Sequence, residues 1–262
     1  CYKYFLYILL CIVFNIIYIR RMEKLSIVIP ALNEEHRLPG TLKKLSVFLE
    51  NEIDDYKHEV IVVVPEGTDK TLEVAKEHKN LFNCDYIIVE PGKKVGKGRD
   101  VKAGMLKATG DKIVFMDADL ATPLHHLPRM LEKINSETEV CIGIRKIEEI
   151  HHSKLRSAVS RLGNLASKLL VGVYYEDTQC GFKGFTKNST EKIFNKLTIL
   201  GWAFDIELLA IAKIDGFKVS TIDINDWVDV EGGNVTDNVI RSSLNTLREL
   251  VKIRFNILRN KY

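Results

Sequence analysis

Short segments rich in valine and isoleucine alternate with stretches of helical spacing along most of the chain. Such alternation predicts an α/β fold, in which helices cover both faces of a mostly parallel sheet. The predicted strands cover 25–30, 59–64, 86–90, 113–116, 139–144, an aromatic stretch ending near Thr186, and 217–224. The predicted helices cover 38–49, 71–78, 100–108, 124–134, 154–171 and a stretch running through Ala212. At 262 residues the chain can form one large domain of this class.

The charge balance and the cysteines argue against several classes of protein. The net charge is only +3, so the overall electrostatics do not indicate a nucleic-acid partner. The five cysteines form no Cys-x-x-Cys pair, which favours reduced thiols over a disulfide framework or a zinc site.

Two histidine pairs, His125-His126 and His151-His152, could suggest a metal site. Adjacent side chains diverge on a helix or strand and no carboxylate stands at ligand spacing, so the sequence disfavours that interpretation.

An apolar run precedes the first predicted strand. It extends over residues 4–19 and is followed at once by Arg20 and Arg21. The run approaches the ~20 residues that cross a bilayer, and the arginine pair would keep the rest of the chain on the cytoplasmic side. We therefore predict a membrane anchor at residues 1–21. The alternative is translated leader sequence ahead of a true start at Met22.

The predicted strand 113–116 stops at two carboxylates, Asp117 and Asp119, separated by one alanine. Residues i and i+2 of a strand share a face, so the two side chains would converge if the extended geometry persists. Carboxylate oxygens suit Mg²⁺ or Mn²⁺, and open α/β sheets bind ligands beyond the carboxyl ends of their strands. We therefore predict a metal site that carries the phosphates of a nucleotide. A solvated turn is the alternative, because Asp is common after strands.

A glycine-rich basic loop, residues 91–99, directly precedes the predicted helix 100–108. Its cations are Lys93, Lys94, Lys97 and Arg99. Glycines permit close approach of a ligand to the backbone, so a phosphate could bind there. The loop lacks the Gly-Lys-Ser/Thr end of a Walker loop, and a solvated basic turn is the alternative.

Later segments contain residues that could bind an anion or act as acids and bases. Arg145 follows a predicted strand, while Arg156 and Ser160 share one face of a predicted helix and could hold an anion. A basic face that only extends into solvent is the alternative. Asp205 and Glu207 fall in the first turn of a helix, where either capping or an active-site role would explain them.

The last segment, 238–262, combines an apolar stripe with basic flanks. The stripe consists of Ile240, Leu244, Leu247, Val251, Phe255 and Leu258. The basic residues around it are Arg241, Arg248, Lys252, Arg254, Arg259 and Lys261. Such a pattern is typical of an interfacial helix on anionic lipid, and equally of a terminal helix packed on its own domain.

Four motifs together resemble the family 2 glycosyltransferases of GT-A (Rossmann-like) fold, and within them the dolichyl-phosphate glucosyltransferase group. These motifs occupy 26–35, 117–119, 177–183 and 202–209. The resemblance extends from about residue 25 to residue 258. It implies three parts: a membrane anchor (1–21), a GT-A catalytic domain (22–235) and a C-terminal interfacial helix (236–262).

The resemblance also implies a role for each matching position. The residues expected to bind the donor are Pro30, Leu32, Glu34, Glu66, Lys97 and Asp117. Asp117 and Asp119 would hold Mg²⁺ or Mn²⁺. The acceptor phosphate would bind to Arg145, Arg156 and Ser160, and the catalytic candidates are Asp119, Asp205 and Arg145. The family usually has Asp-Asp-Gly-Ser after its second strand, where this chain has 65–68 as Pro-Glu-Gly-Thr, so the preferred base stays open.

The implied activity is inverting transfer of a hexose from a nucleoside diphosphate to a dolichyl or polyprenyl phosphate at the cytoplasmic face of a membrane. UDP-glucose is the expected donor, because the mannosyl branch often has a glutamine where this chain has Ala121. The alternatives are GDP-mannose as donor, a polysaccharide or protein hydroxyl as acceptor, and a non-catalytic membrane protein that binds nucleotide sugars.

Overall fold

The computed structural model describes residues 22–146, 167–228 and 239–262, with side chains from 244 onward in the last range. The strands in these ranges are β1 (Lys24–Pro30), β2 (Lys57–Val63), β3 (Asp85–Val89), β4 (Lys112–Met116), β5 (Val140–Arg145), β6 (Phe182–Thr186) and β7 (Val219–Ile224). They form one sheet in the order β3-β2-β1-β4-β6-β5-β7. Neighbours pair in parallel except at β6, which is antiparallel to β4 and β5. The predicted α/β class and mostly parallel sheet are confirmed.

Helices connect these strands. They are α1 (Leu38–Glu52), α2 (Thr71–Glu77), α3 (Lys97–Lys107), α4 (Leu127–Lys133), α5 (Lys187–Lys196), α6 (Phe204–Ile214) and α7 (Val239–Leu258). Short 3-10 turns occupy His78–Leu81 and Leu124–His126. Residues 167–171 are helical, and the rest of the helix predicted over 154–171 lies outside the described residues.

Two hydrophobic cores lie on opposite faces of the sheet. Alternate residues of β1 divide between them, because successive strand side chains point to opposite faces. Val28 packs in the core formed with α3, α5, α6 and α7. Ile27 and Ile29 pack in the core formed with α1, α2 and α4. Helices therefore cover both faces, as the alternation of strands and helices predicts.

One edge of the sheet collects most of the residues that the sequence singles out. Parallel strands end at the same edge, and six strands do so here, at Pro30, Val63, Val89, Met116, Arg145 and Ile224. Because β6 runs the other way, it begins at that edge, with Phe182 opposite Met116. The loops after β1, β2, β4, β5 and β7 therefore lie at the same edge as the segment that leads into β6.

The final helix lies on the domain through one face only. Leu250, Ile253 and Asn256 are buried against the domain. The described members of the predicted apolar stripe lie on the other face and are 45–64 % exposed: Leu244, Leu247, Val251, Phe255 and Leu258. The stripe is therefore not what attaches α7 to the domain.

The membrane anchor predicted at 1–21 lies outside the described residues. Across the ranges that are described, no helix combines the length and the apolar composition needed to cross a bilayer.

Candidate active site

The carboxylates that follow β4 lie in a turn. β4 ends at Met116, and the chain turns at Ala118 and Asp119. The Thr41 hydroxyl on α1 holds this turn by donating to the carbonyl oxygen of Ala118 at 2.6 Å. Leu120 then takes a left-handed backbone conformation, with φ of 54°. The extended geometry on which the predicted convergence depends does not persist, so the turn sets the directions of the two carboxylates.

Asp117 and Asp119 nevertheless influence each other. Burial raises the pKa of Asp119, and the charge of Asp117 raises it further. The Nζ atom of Lys97 lies 2.6 Å from Oδ1 of Asp117. Burial alone would lower the pKa of Lys97, but the carboxylates of Asp117 and Asp205 outweigh burial and raise it. A pair of repelling, partly exposed carboxylates offers hard oxygen ligands, and this donor set fits Mg²⁺ or Mn²⁺.

The segment that leads into β6 lies directly against Asp117. Gly181 is the contact point, since a Cβ atom at this position would overlap the Asp117 carboxylate. Only glycine allows the backbone to approach so closely. The position of Asp117 is therefore limited on one side by Lys97 and on another by a glycine backbone.

Lys183, in β6, is a buried cation that the sequence motifs do not assign to the site. Its side chain has no exposed surface, and Nζ donates at 2.5 Å both to Oδ1 of Asp205 and to the carbonyl oxygen of Cys180. Burial raises the pKa of Asp205, and the ammonium groups of Lys183 and Lys97 offset only part of that rise. A lysine in the middle of an aromatic strand is the sequence signal that could have identified it.

Arg145, at the end of β5, forms a two-point ion pair with Asp177. Its Nε and Nη2 atoms donate to the carboxylate at 2.5 and 2.9 Å, and the guanidinium lies 5.3 Å from the ring centroid of Trp227. Burial alone would lower the pKa of Arg145, but Asp177 outweighs burial and raises it. Arg156 and Ser160, its predicted partners in binding the acceptor phosphate, lie outside the described residues.

The residues predicted to border the nucleotide base lie in the loops after β1 and β2. Pro30 ends β1, and Leu32 follows it, partly buried. The Glu34 carboxylate accepts from Nε and Nη2 of Arg37 at 2.6 and 2.8 Å. Burial raises the pKa of Glu34 against the opposing effect of Arg37. Glu66 is exposed at the same edge of the sheet, and donor binding by these residues stays a prediction.

Two of the three glycines of the basic loop contact other parts of the protein, while Gly92 has open space around it. A Cβ atom on Gly96 would overlap the backbone of Leu200, and one on Gly98 would lie 2.7 Å from Cβ of Phe204. Arg99 donates to two carbonyl oxygens of its own loop at 2.8 and 3.3 Å and pairs with the carboxylate next to it. Gly96, Gly98 and Arg99 therefore close the loop onto the segment before α6. Phosphate binding at this loop, to which Lys93, Lys94 and Lys97 would also supply charge, stays a prediction.

Two further acidic residues have partners that the sequence pattern does not reveal. Glu207 accepts from the backbone N–H groups of Thr198 and Ile199 at 2.8 and 2.6 Å, so it holds the chain ahead of α6. Asp226 contacts both His125 and His126, at 3.1 and 2.6 Å. The prediction that no carboxylate is placed to join this histidine pair is therefore wrong, because the partner is 100 positions away from His126 in the sequence.

Comparison with known proteins identifies the family. Residues 26–194 match the profile of glycosyl transferase family 2. The chain belongs to this family. As a family 2 glycosyltransferase, it is an enzyme that transfers a sugar, as its motifs predict.

Similar family members include enzymes from several eukaryotes. A dolichyl-phosphate beta-glucosyltransferase of Trichomonas vaginalis is 30% identical over 257 residues, which cover 93% of this chain and 78% of that protein. The enzyme of the same name from Drosophila melanogaster is 32% identical over 81% of this chain and 69% of its own length. The Homo sapiens enzyme is 28% identical, with coverage of 81% and 70%.

Solved structures of similar fold support the same architecture. Glucosyl-3-phosphoglycerate synthase from Mycobacterium tuberculosis, in complex with UDP, has a TM-score of 0.66 and 17% identity, covering 89% of this chain and 80% of that one. A second structure of that enzyme, with Mn²⁺, UDP and phosphoglyceric acid, has a TM-score of 0.65 and 17% identity, covering 88% and 78%. At this level of identity the likeness establishes a shared GT-A fold.

Proposed function

We propose that this enzyme is an inverting transferase that moves glucose from UDP-glucose to a dolichyl or other polyprenyl phosphate. The observation that carries the proposal is that a pair of carboxylates and an arginine lie at the same edge of the sheet. Asp117 and Asp119 lie there beside Lys97, and Arg145 ends the strand on the far side of β6. Relatives that carry the name dolichyl-phosphate beta-glucosyltransferase support both the sugar and the acceptor.

The donor half of the site would bind the diphosphate of the nucleotide sugar. Asp117 and Asp119 would hold Mg²⁺ or Mn²⁺, which when bound supplies charge that stabilises the departing nucleoside diphosphate. Lys97 adds a fixed positive charge beside Asp117. Pro30, Leu32, Glu34 and Glu66 would border the base and ribose. Structures of similar fold that contain UDP with Mg²⁺ or Mn²⁺ support this assignment.

The acceptor half needs to gather an anion and keep it aligned. A phosphate monoester has a second pKa of about 6, so its oxygen is already anionic at neutral pH and needs little help from a base. Arg145, together with Arg156 and Ser160, would hold this phosphate beside the donor. Catalysis would then rest on alignment of the two substrates and on charge stabilisation.

The setting of Asp205 fits this choice of acceptor. An acceptor hydroxyl would require a general base, for which Asp205 is the candidate in this chain. Its carboxylate is 3% exposed and bonded to the buried ammonium of Lys183. A carboxylate so enclosed is better suited to positioning Lys183 than to taking a proton from a substrate.

The polyprenyl tail requires the site to lie at a membrane, and α7 offers a surface for it. Five exposed apolar side chains of α7 face away from the domain, Arg248 and Lys252 flank them along the same helix, and Arg259 directly follows it. Such a helix would insert its apolar stripe between anionic headgroups while its cations contact the phosphates. We place the enzyme at the cytoplasmic face, with residues 1–21 as a second attachment.

A panel of donors tests the proposal. The chain, purified in detergent, is incubated with labelled UDP-glucose or GDP-mannose, a short polyprenyl phosphate and Mg²⁺ or Mn²⁺. We expect an acid-labile, lipid-linked hexose from UDP-glucose alone, and none from the D117N/D119N variant. Equal or greater transfer from GDP-mannose would overturn the assignment of the donor. Hydrolysis of UDP-glucose without a lipid-linked product would overturn the assignment of the acceptor.

A further inference from the structure

Two imidazoles and one carboxylate form a cluster that does not include Asp117 or Asp119. The Nε2 atom of His125 lies 3.1 Å from Oδ2 of Asp226, and Nε2 of His126 lies 2.6 Å from Oδ1 of the same group. The two rings are 4.3 Å apart between centroids, because a 3-10 turn keeps the adjacent side chains together. Within the described ranges it is the one group of three His, Cys, Asp or Glu residues whose ligand atoms all lie within 4.8 Å.

The ligand atoms of the cluster are near enough to one another to share a small tetrahedral ion. Two ligands on one Zn²⁺, each ~2.1 Å from it, stand ~3.4 Å apart. The nitrogen–oxygen distances in the cluster, 3.1 and 2.6 Å, are shorter than that value, so the exposed side chains of His125 and Asp226 would have to move apart to admit the ion. Imidazole nitrogens select zinc, cobalt or nickel over magnesium, because Mg²⁺ prefers oxygen ligands and keeps its water.

The surroundings suit an ion that is bound reversibly. The His126 side chain is only 10% exposed, which fixes one ligand, while those of His125 and Asp226 are 62% and 48% exposed. Three protein ligands leave a fourth position for water. The cluster is therefore accessible from solvent and partly preformed by the fold.

We propose that His125, His126 and Asp226 form a binding site for a borderline divalent cation of the Zn²⁺ class, separate from the hard-cation site at Asp117 and Asp119. The site joins the chain after β4 to the loop after β7. These two segments already meet through the bond from the N–H of Val228 to the carbonyl oxygen of Ala121, at 3.1 Å.

An ion bound at this site would affect the edge of the sheet that carries the candidate active site. Trp227, next to Asp226, packs over the guanidinium of Arg145. Ala121 directly follows the turn that carries Asp117 and Asp119. An ion that ties Asp226 to the histidines therefore holds the two loops on either side of the candidate active site, and it stabilises the folded state by binding to it alone.

The test is a titration that does not depend on activity. The chain is purified in detergent without a polyhistidine tag, stripped with a chelator, and titrated with Zn²⁺ in excess Mg²⁺ by calorimetry. We expect one equivalent to bind and the unfolding temperature to rise. We expect H125Q/H126Q and D226N each to weaken binding by at least about tenfold. The matched control is H151Q/H152Q, the other adjacent histidine pair, which should leave binding unchanged.

Cobalt provides the second readout. Co²⁺ should give visible d–d bands without the thiolate charge-transfer band that cysteine ligands produce, and H125Q/H126Q should lose these bands. H125Q alone, at an exposed position, separates loss of a ligand from loss of the fold. The proposal is overturned if Zn²⁺ does not bind, if H151Q/H152Q abolishes binding, or if H125Q/H126Q and D226N bind as wild type does. The last two results would leave a simple ion pair at this cluster.

Discussion

Lys183 links the parts of the candidate site that lie far apart in the sequence. It stands in β6 without exposed surface, and it bonds Asp205 of α6 and the carbonyl oxygen of Cys180. Cys180 directly precedes Gly181, whose backbone lies against Asp117. One buried ammonium group therefore sets both the enclosure of Asp205 and the path of the chain beside Asp117.

Removal of this ammonium should destabilise the fold. In K183M, Asp205 keeps a buried charge without its partner, and such losses cost about 3–5 kcal/mol in the free energy of unfolding. The double variant K183M/D205N removes both charges, so it should recover part of that loss. Urea unfolding at neutral pH measures both. A K183M variant as stable as wild type would show that the pair does not hold the fold together.

A methyl group at Gly181 should damage activity more than stability. In G181A the new Cβ atom would overlap the Asp117 carboxylate, which must then move away from its place beside Lys97. Misplacement of such a group costs on the order of a hundredfold in rate. The matched control is G40A, where a Cβ atom meets nothing within 4 Å and the helix position favours alanine. Equal rates for the two variants would contradict the assigned role of Asp117.

The element that connects the site to its surroundings is α7. Its buried face holds the chain ahead of α6, because Glu249 accepts from the N–H of Ala203 at 2.9 Å. After the helix ends, the Tyr262 hydroxyl donates to Glu207 at 2.5 Å. Its other face carries the exposed apolar stripe. The same helix therefore carries the exposed stripe and holds the segment that leads to Asp205.

Charges placed in the stripe should abolish membrane binding. V251E/F255E introduces two carboxylates among the exposed apolar side chains of α7, where they would be repelled by anionic lipid. Because both side chains are exposed, the fold should be retained. Co-sedimentation with vesicles that contain phosphatidylserine provides the measurement on a chain that starts at Met22. N245E, at an exposed position of α7 outside the stripe, serves as control, and equal loss in both variants would argue against the stripe.

The edge of the sheet opposite the site contains an acid-sensitive element. Burial would raise the pKa of Glu59 in β2, but hydrogen bonds from Lys24, Ser26 and Thr109 outweigh it and lower the pKa from 4.5 to about 2. A depressed carboxyl pKa adds stability that is fully present above pH 4.5 and is lost as the pH falls toward 2.

The corresponding prediction compares wild type with E59Q. The shift corresponds to about 3 kcal/mol at neutral pH, so E59Q should be less stable there by a similar order. The difference between the two proteins should shrink as the pH falls from 4.5 toward 2. Urea unfolding across that range measures it. A difference that stays constant with pH would mean that the charge of Glu59 is not what stabilises this edge.

At the scale of the whole described structure, local patterns predict the strands and most helices, because a β-branched run or a helical stripe is a property of neighbouring residues. α5 is missed because it is mostly polar and buries only two apolar side chains, Ile193 and Phe194. Pairings over long distances in sequence are missed for another reason. The partners of Arg145 and His126 are 32 and 100 positions away, and only the fold brings them together.

The most direct measurement compares two acceptors that differ only in charge. The enzyme is given UDP-glucose, Mg²⁺ or Mn²⁺, and either a short polyprenyl phosphate or the corresponding polyprenol, and the products are identified by mass and by the anomeric coupling of the sugar. We predict a β-linked glucosyl phosphate from the phosphate alone, with loss of product in D117N/D119N. Transfer to the polyprenol at a similar rate, or undiminished product from D117N/D119N, would contradict a site built from a metal-binding carboxylate pair and a cationic acceptor pocket.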